Sequence, residues 1–319
     1  MNTRRVHRLD GLEPDNLLAF LALLGLLRAI EESCPNWIPR VRWDVNRLPI
    51  RPVLSVSESV DMEMIVTAIA DGLNSLARYH DFNDLKDLRL SPADATKKLH
   101  TAVENNPYTA GLWASLISNA ATDRKGKKVK PTPLCLLFGQ GHQHFLSYLA
   151  SVPRETEPPA RGTGHSKTKI SETQCLKEAL FSPWKRPDNT KRFRWDPRED
   201  VRYALRATDP TDSKTKETTQ HGANRLAAIG LSALTLVPQI RAGEIQLGVL
   251  GGGRDRNGDF IFTWPIWCNL ISLATIRSLL GHPSLNDLMT RKELGIFECR
   301  RTRRISAGQF MNFTRAESI

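Results

Sequence analysis

Apolar positions along the chain form several helical and strand-like patterns, and the first of them is the strongest. Residues 17–27, LLAFLALLGLL, are apolar on every side, which predicts a helix enclosed by other elements. Pro14 suits the first helical turn, and Asp15 and Asn16 suit the positive end of the helix dipole. Arg28 marks the point where the helix reaches solvent. We therefore expect a buried N-terminal core helix.

This apolar stretch follows a basic start, MNTRRVHR, so a secretory signal or a membrane anchor is the alternative interpretation. A signal peptide needs a small-residue cleavage site, and RAIEESCPNW offers none. A membrane-spanning helix needs roughly 20 apolar residues, and the uninterrupted run here is about half that length. The expectation is a cytoplasmic protein without a membrane partner.

Shorter patterns follow along the rest of the chain. Alternating segments predict strands at 39–44 and 50–56, and helical periodicity predicts helices at 62–79, 91–104 and 109–120. A helix is expected to begin near 222, two strands joined by a turn at Asn257-Gly258 to occupy 244–267, and an amphipathic helix to end near Gly281. Without regular β-α-β alternation, this predicts an α+β fold: mixed helices and short antiparallel strands, with a buried N-terminal helix and long basic loops.

Two polar segments interrupt these patterns. The first, TDRKGKKVKPTP (122–133), is a basic loop, and the second, RETEPPARGTGHSKTK (154–169), is rich in Pro and Gly. They suggest an N-terminal α+β region (1–150), a basic flexible segment (151–192) and a C-terminal α+β region (193–319). One continuous domain is the alternative.

Charge is distributed unevenly over the 319 residues. Residues 1–120 carry 13 Lys and Arg against 15 Asp and Glu, a net of −2, whereas 121–221 carry 20 against 12, a net of +8. Residues 222–319 carry 12 against 7, a net of +5, and the three parts sum to the formal charge of +11. A basic surplus confined to the last two-thirds favours a polyanionic partner, either nucleic acid or an anionic membrane surface.

Known catalytic and metal-binding motifs find little support. The five scattered cysteines lack CxxC spacing, which argues against a zinc site or a disulfide framework and for small buried thiols in a reducing compartment. The glycines at 251–253 lack a following Gly-Lys-Ser/Thr and predict a hairpin turn, and DRNGD lacks the distal Glu of a calcium loop. His142 and His144 have no further ligand at diagnostic spacing. No cofactor, metal or catalytic residue is expected.

The stretch FSPWKRPDNTKRFRWDPRED (181–200) has the composition of a nucleic-acid contact. Four aromatic residues (Phe181, Trp184, Phe193 and Trp195) alternate with cations, so bases can stack where phosphates are neutralised. The candidate nucleic-acid-binding residues are Lys125, Lys127, Lys128, Lys130, Arg161, Lys167, Lys169, Lys185, Arg186, Asn189, Lys191, Arg192, Arg194, Arg301, Arg303 and Arg304. The alternative is that the tryptophans are core residues and the lysine-rich loops are only solvated.

Five segments together resemble the large-subunit-like proteins of type I-G (formerly I-U) CRISPR systems. These segments are HRLDGLEPDNLLAFLALLGLLRAIE, WDPREDVRYALRATDPT, GANRLAAIGLSAL, FTWPIW and RRISAGQFMNFTRAE. The resemblance implies a non-catalytic subunit of a Cascade surveillance complex. Such a subunit sits beside the 5′ handle of the guide RNA, helps recognise the protospacer-adjacent motif in target double-stranded DNA, and docks the helicase-nuclease. Its other partners are the Cascade backbone and handle-binding subunits.

Short DNA motifs are read by a few Arg, Lys, Asn or Gln side chains, which makes Asn189, Gln220 and Asn224 candidate base readers. Two other functions stay open on the sequence. One is a metal-dependent nuclease that uses dispersed carboxylates such as Asp196, Glu199 and Asp209. The other is a structural bridging subunit whose positive charge meets acidic proteins.

Overall fold

The computed structural model describes residues 6–83, 85, 87–140, 143–162, 164–198, 218–241, 243–307 and 310–319. The helices are α1 (Leu17–Ser33), α2 (Met62–Ala77), α3 (Pro92–Asn105), α4 (Pro107–Leu116), α5 (Phe145–Ser151), α6 (Glu172–Phe181), α7 (His221–Gly230), α8 (Leu273–Leu280) and α9 (Leu288–Glu293). Short 3-10 turns occupy Pro35–Trp37, Gly164–Ser166 and Leu231–Ala233. Within these described ranges, no helix combines the length and the apolar character needed to cross a bilayer.

Among the described residues, the strands form three antiparallel sheets. They are β1 (Val6–Arg8), β2 (Arg40–Trp43), β3 (Pro52–Ser55), β4 (Phe138–Gln140), β5 (Gln143–His144), β6 (Leu236–Arg241), β7 (Glu244–Val249), β8 (Gly252–Arg254), β9 (Phe260–Trp267), β10 (Ile296–Ala307), β11 (Phe310–Phe313) and β12 (Glu317–Ser318). The largest sheet has the order β11-β10-β9-β8-β7-β6, with β12 also paired to β10; β1-β3-β2 and β4-β5 are separate. Helices with antiparallel sheets confirm the α+β class.

The first helix begins three residues after the expected position of its first turn. Asn16 is the N-cap, and its side-chain oxygen accepts hydrogen bonds from the backbone N–H groups of Leu18 and Ala19. Pro14 therefore lies outside α1, and its carbonyl accepts the indole N–H of Trp264 at 3.1 Å. The prediction that the helix is enclosed is confirmed, because every residue from Leu17 to Leu27 is buried.

Close backbone contacts hold α1 between α7 and α2. A Cβ on Gly25 would lie 1.8 Å from the Leu226 carbonyl oxygen, and a Cβ on Gly72 would lie 1.9 Å from that of Ala29. The other side of α1 meets the large sheet, where the Phe20 and Trp264 rings stack at 5.2 Å. These contacts place α1 at the centre of the fold.

A single hydrophobic cluster extends from Leu9 to Ala316 and takes members from all three regions suggested by the sequence. In the segment predicted to be basic and flexible, 151–192, α6 contributes Leu176, Ala179 and Leu180 to this core. Cys175 is one of the buried thiols, and burial raises its pKa to about 12. These contacts bring the middle of the chain into the same core as α1.

The segment 244–267 contains three strands rather than the expected two. A turn at Gly251, whose φ is +84°, joins β7 to β8, and a second turn at Asn257-Gly258 joins β8 to β9. The hairpin interpretation of the glycine run is therefore confirmed, with one more strand than predicted. Asp255 holds the second turn, since its side chain accepts the backbone N–H groups of Asn257 and Asp259.

Candidate nucleic-acid interface

Two aromatic residues of the 181–200 stretch belong to the core. Phe193 and Trp195 have no exposed surface, and their rings stack on each other at 4.4 Å between centroids. The Trp195 indole N–H donates to the Leu134 carbonyl at 2.8 Å, and Phe145 packs edge-on against both rings. Stacking of these two residues on bases was the wrong expectation, because no ring face is left for a base.

The other two aromatic residues are half-buried. Phe181 and Trp184 pack against the core, and the Trp184 indole N–H donates to the Ala179 carbonyl at 2.7 Å. The guanidinium of Arg186 lies 5.6 Å from the centre of the Trp184 ring. An intramolecular cation thus already covers the ring that was expected to meet a base.

Most arginines of this stretch and of the preceding loop serve the fold. Arg186 pairs with the fully buried Asp196 at 2.6 Å. Arg161 pairs with Asp188 and Glu178, each at 2.7 Å. Desolvation opposes charge on Arg161, yet the hydrogen bonds and charges of these two carboxylates raise its pKa. These cations are matched inside the molecule and add little free positive charge.

Four further candidates lie inside the molecule, which corrects their predicted contact role. Arg192 is 6% exposed and Arg194 is 4% exposed, so neither presents a guanidinium to a phosphate. Gln220 and Asn224 are also buried, and Asn224 donates to the side chain of Thr219 at 2.7 Å. Their amides organise the loop that precedes α7 and do not reach a base edge.

The remaining cations of this region differ in accessibility. Lys191 is exposed but donates to Ser151 and to Glu155, the latter at 3.0 Å. Lys185 and Asn189 are exposed, and the part of the chain that the structure describes supplies no ion pair to Lys185. Lys185 and Asn189 therefore keep the surface position expected of a contact residue, whereas Lys191 is exposed but paired with Glu155.

The three arginines of β10 that were predicted to contact nucleic acid are arranged differently from one another. Arg304 is half-buried and donates to the Pro133 carbonyl at 3.0 Å, and desolvation, with the nearby Arg254, lowers its pKa. Arg303 is exposed but pairs with Asp255 at 3.3 Å and with Asp259 at 3.6 Å. Arg301 lies on the open face of the sheet and bonds only to neutral groups among the described residues. Arg304 is thus engaged within the fold, whereas the charge of Arg301 is not paired with a described carboxylate.

The basic loop after α4 is a fixed turn. Its ends are bridged between Thr122 and Val129, and the Asp123 N–H donates to the Lys128 carbonyl at 2.8 Å. The Asp123 carboxylate accepts the backbone N–H groups of Lys127 and Lys128. Desolvation opposes the shift, but these hydrogen bonds and the charge of Lys125 lower the pKa of Asp123. The backbone is thereby shaped so that the lysines point outward.

We call residues 122–130 the basic turn. Arg124, Lys125, Lys127 and Lys128 are exposed, and no described carboxylate forms an ion pair with any of them. Lys130 is half-buried and donates to the Ile245 carbonyl of β7 at 3.2 Å. The basic turn is therefore tied to the β6–β7 hairpin, with a cavity of about 260 Å³ between them.

A second loop carries the other predicted lysines. Arg161 and Thr168 exchange backbone hydrogen bonds of 2.9 and 2.8 Å, which closes a short loop. Lys167 and Lys169 project from this loop and are exposed. Within the described ranges neither lysine has an ion-pair partner, so both remain available to a polyanion.

Of the five segments that carry the family resemblance, the described parts of four meet around the N-terminus of α1, and the third packs against α1 at Gly25. Asn16 donates to Asp196 at 3.0 Å, and Arg315 pairs with both Asp15 and Glu13. Trp264 of the fourth segment donates to the backbone at Pro14, and Phe193, two residues before the second segment, donates its N–H to Asn224 of the third at 3.4 Å. The resemblance therefore rests on residues that hold the fold together.

Of the three carboxylates proposed for a nuclease, the structure describes Asp196. Asp196 is buried and engaged by Arg186, Asn16 and the backbone N–H of Arg198. Glu199 and Asp209 lie outside the described residues, as does His142. Among the residues that are described, no group of three or more His, Cys, Asp or Glu side chains is placed to hold a metal ion.

Comparisons of this chain with family models, curated proteins and solved structures returned no match.

Proposed function

We propose that this protein is a non-catalytic, nucleic-acid-binding subunit of an RNA-guided DNA surveillance complex of the type I-G Cascade class, acting in the cytoplasm. The observation that carries the proposal is the basic turn, where Asp123 fixes the backbone at Lys127 and Lys128 and no described carboxylate forms an ion pair with one of the exposed cations of the turn. Unpaired lysines on a fixed backbone are suited to phosphates, because their charge is free to displace counterions.

In such a complex the protein contacts the guide RNA 5′ handle and the target duplex, helps recognise the protospacer-adjacent motif, and recruits the helicase-nuclease. Its protein partners are the backbone and handle-binding subunits. Sequence is read mainly by base pairing with the guide, so a subunit of this kind needs phosphate contacts and few base readers. Lysines are exposed in several loops, whereas several arginines form ion pairs within the fold. This pattern supports a subunit that contacts phosphates and reads few bases.

The first experiment measures how binding to duplex DNA depends on salt. The double variant Lys127→Ala/Lys128→Ala keeps the backbone hydrogen bonds to Asp123 and removes two exposed charges. We expect the slope of log affinity against log salt to fall by about 1.8, since each phosphate contact contributes about 0.9. The matched control, Lys97→Ala/Lys292→Ala, removes two exposed charges elsewhere and leaves the slope unchanged.

The second experiment tests membership of the complex. The protein is co-expressed with a guide RNA and the other effector subunits, and the purified complex is tested for binding to a target duplex. We expect stoichiometric incorporation of this chain and loss of target binding in its absence. Full assembly and unchanged target binding without the chain would overturn the proposal. A salt-independent affinity for nucleic acid would instead favour the structural bridge.

A further inference from the structure

The open face of the large sheet carries a trough that the proposed function does not use. It has a volume of about 550 Å³, within the roughly 300–1,000 Å³ typical of small-molecule sites. Strands β6 to β10 form its floor, and the segment that follows α8 forms one wall. The residues that matter for its chemistry are Gln239, Gly253, Ile261, Thr263, Asn286 and Arg301.

Two glycines make the floor of the trough flat. A Cβ on Gly253 would lie 2.8 Å from the Gln239 side-chain oxygen, and a Cβ on Gly248 would lie 3.1 Å from the same amide group. Gln239 is on β6 and Gly253 is on β8, so its side chain crosses the intervening strand β7 above Gly248. The glycines thus place an amide, which both donates and accepts hydrogen bonds, over the middle of the sheet.

Arg301 supplies the second polar group of the trough. Its Nε donates to the Thr263 hydroxyl at 3.3 Å, and its Nη2 donates to the Asn286 side-chain oxygen at 3.1 Å. Both partners are neutral, and no carboxylate in the described part of the chain pairs with this guanidinium. Arg301 is therefore oriented over β9 while its charge and its remaining N–H groups stay available.

The rest of the surface is shallow and mostly apolar, with the polar side chain of His282 on the wall. Ile261 and Val237 project from the sheet, and Leu280, Pro283 and Leu285 line the wall. A ligand that fits has flat apolar faces and an edge that carries both donors and acceptors. An unpaired nucleobase has this combination, and arginine and glutamine are side chains that recognise base edges.

The trough and the basic turn both contact the β6–β7 hairpin. Its floor includes Val237 and Gln239 of β6 and Val249 of β7, and the same hairpin receives Lys130 of the basic turn through the Ile245 carbonyl. A strand whose phosphates contact the basic turn reaches the trough round the edge of this hairpin, because Ile245 faces away from Gln246, the residue that pairs with Gln239 on the trough side. We propose that the trough binds one unpaired nucleobase of that strand, held between Arg301 and Gln239. This proposal rests on the proposed function.

The test compares two short fluorescent single strands of equal length, one with normal bases and one with abasic sites throughout, by fluorescence anisotropy with the full chain. Both strands carry the same phosphates, so the ratio of their affinities reports contacts to bases. Stacking and edge contacts predict a ratio of about ten for the wild type. DNA and RNA versions run in parallel show which kind of strand supplies the base.

Three variants locate that preference. Arg301→Ala removes the edge donor, and Gly253→Val fills the floor by displacing only the end of the flexible Gln239 side chain. Both should bring the affinity ratio to about one. Arg303→Ala is the matched control, because it removes a charge from the same strand and face outside the trough. It should weaken both strands by the same factor and leave the ratio near ten.

The two proposals fail in different ways. A wild-type ratio of one, with salt-dependent binding intact, overturns the nucleobase site alone. A ratio that persists in both Arg301→Ala and Gly253→Val also overturns it. Absence of binding to either strand at low salt overturns the nucleobase site and the proposed function together.

Discussion

A methyl group on Gly25 tests how closely the core helix is held. An alanine Cβ at this position would lie 1.8 Å from the Leu226 carbonyl oxygen and 2.6 Å from its carbon. Both atoms belong to the backbone of α7, so no side-chain rotation relieves the overlap and the two helices must separate. The two helices are similarly close at a second glycine, since a Cβ on Gly230 would lie 2.1 Å from the Leu21 carbonyl oxygen. Separation of the helices would therefore open this contact as well.

Overpacking of a core costs about 1–3 kcal/mol and occasionally more. The upper end, about 3 kcal/mol, applies here because the overlap is with backbone. Alanine is favoured over glycine in a helix by about 1 kcal/mol, which partly offsets that cost. We therefore expect Gly25→Ala to lower the free energy of unfolding by about 2 kcal/mol or more.

Urea denaturation followed by far-UV circular dichroism measures this change. Gly111→Ala, on α4, is the matched control, since the nearest non-local atom is the Ser232 carbonyl oxygen at 3.1 Å. That overlap is small, and helix propensity offsets it, so the control should stay within about 1 kcal/mol of the wild type. Equal stability of Gly25→Ala and the wild type, or equal losses in both variants, would refute the reasoning.

Three further predictions concern buried side chains and are measured by urea denaturation. Desolvation lowers the pKa of His80 to about 4, so the unfolded chain takes up a proton before the native chain does. Stability should therefore fall by roughly 3 kcal/mol as pH drops from about 6.5 to 4, and His80→Gln should remove that part of the slope. Trp195→Ala should cost roughly 3–5 kcal/mol, because the ring is fully buried. Arg225→Ala should cost roughly 3–5 kcal/mol, since it leaves the Pro153 carbonyl and Glu172 without their buried partner.

Each of these has an outcome that contradicts it. Parallel pH profiles for the wild type and His80→Gln would show that His80 does not titrate in this range. A stable Trp195→Ala variant with weakened nucleic-acid binding would restore the base-stacking interpretation of Trp195. An Arg225→Ala variant as stable as the wild type would show that its buried hydrogen bonds are replaced by water.

The elements that the sequence predicted well are those decided by local pattern. Apolar residues on all sides of α1 demand enclosure wherever the helix packs, so its burial was predictable without its partners. The exact start of α1 was not, because Asn16 and Pro14 are both suited to a helix terminus. Its position was decided by the Asn16 side chain, which caps α1, and by Trp264, which binds the Pro14 carbonyl.

The aromatic and basic stretch was predicted poorly for a physical reason. Residues 182–198 are mostly without helix or strand, and Arg186 and Arg194 adopt left-handed backbone conformations with φ of 53° and 63°. Without a regular period, side chains that alternate in sequence need not alternate in direction. Composition alone therefore suggested an exposed surface, while Phe193 and Trp195 turn into the core.

The trough could not be predicted from the sequence, because strands that are far apart in the chain form it. Arg301 reaches Thr263 across the β9–β10 pair, and Gln239 reaches Gly253 across β7. The glycine run at 251–253 is the signal that the sequence offers for the trough, but its pattern predicts only a turn. Gly251 does occupy the turn, whereas Gly253 lies in β8, where its missing side chain opens the floor.

The structure separates the predicted contact residues by side-chain type. Arg161, Arg186 and Arg303 form ion pairs within the fold, whereas the loop lysines Lys125, Lys127, Lys128, Lys167 and Lys169 remain exposed. This separation follows from chemistry, because the planar guanidinium suits fixed multiple hydrogen bonds and the hydrated ammonium loses more on burial. Lysines give affinity for phosphates that is independent of sequence.

Recognition of bases by the described surface requires an arginine whose guanidinium edge is accessible. Arg301 satisfies that condition: neutral partners orient its guanidinium, and a cavity wide enough for a base lies beside it. The lysine variants should therefore change salt dependence without changing base preference. The Arg301 variant should remove the base preference.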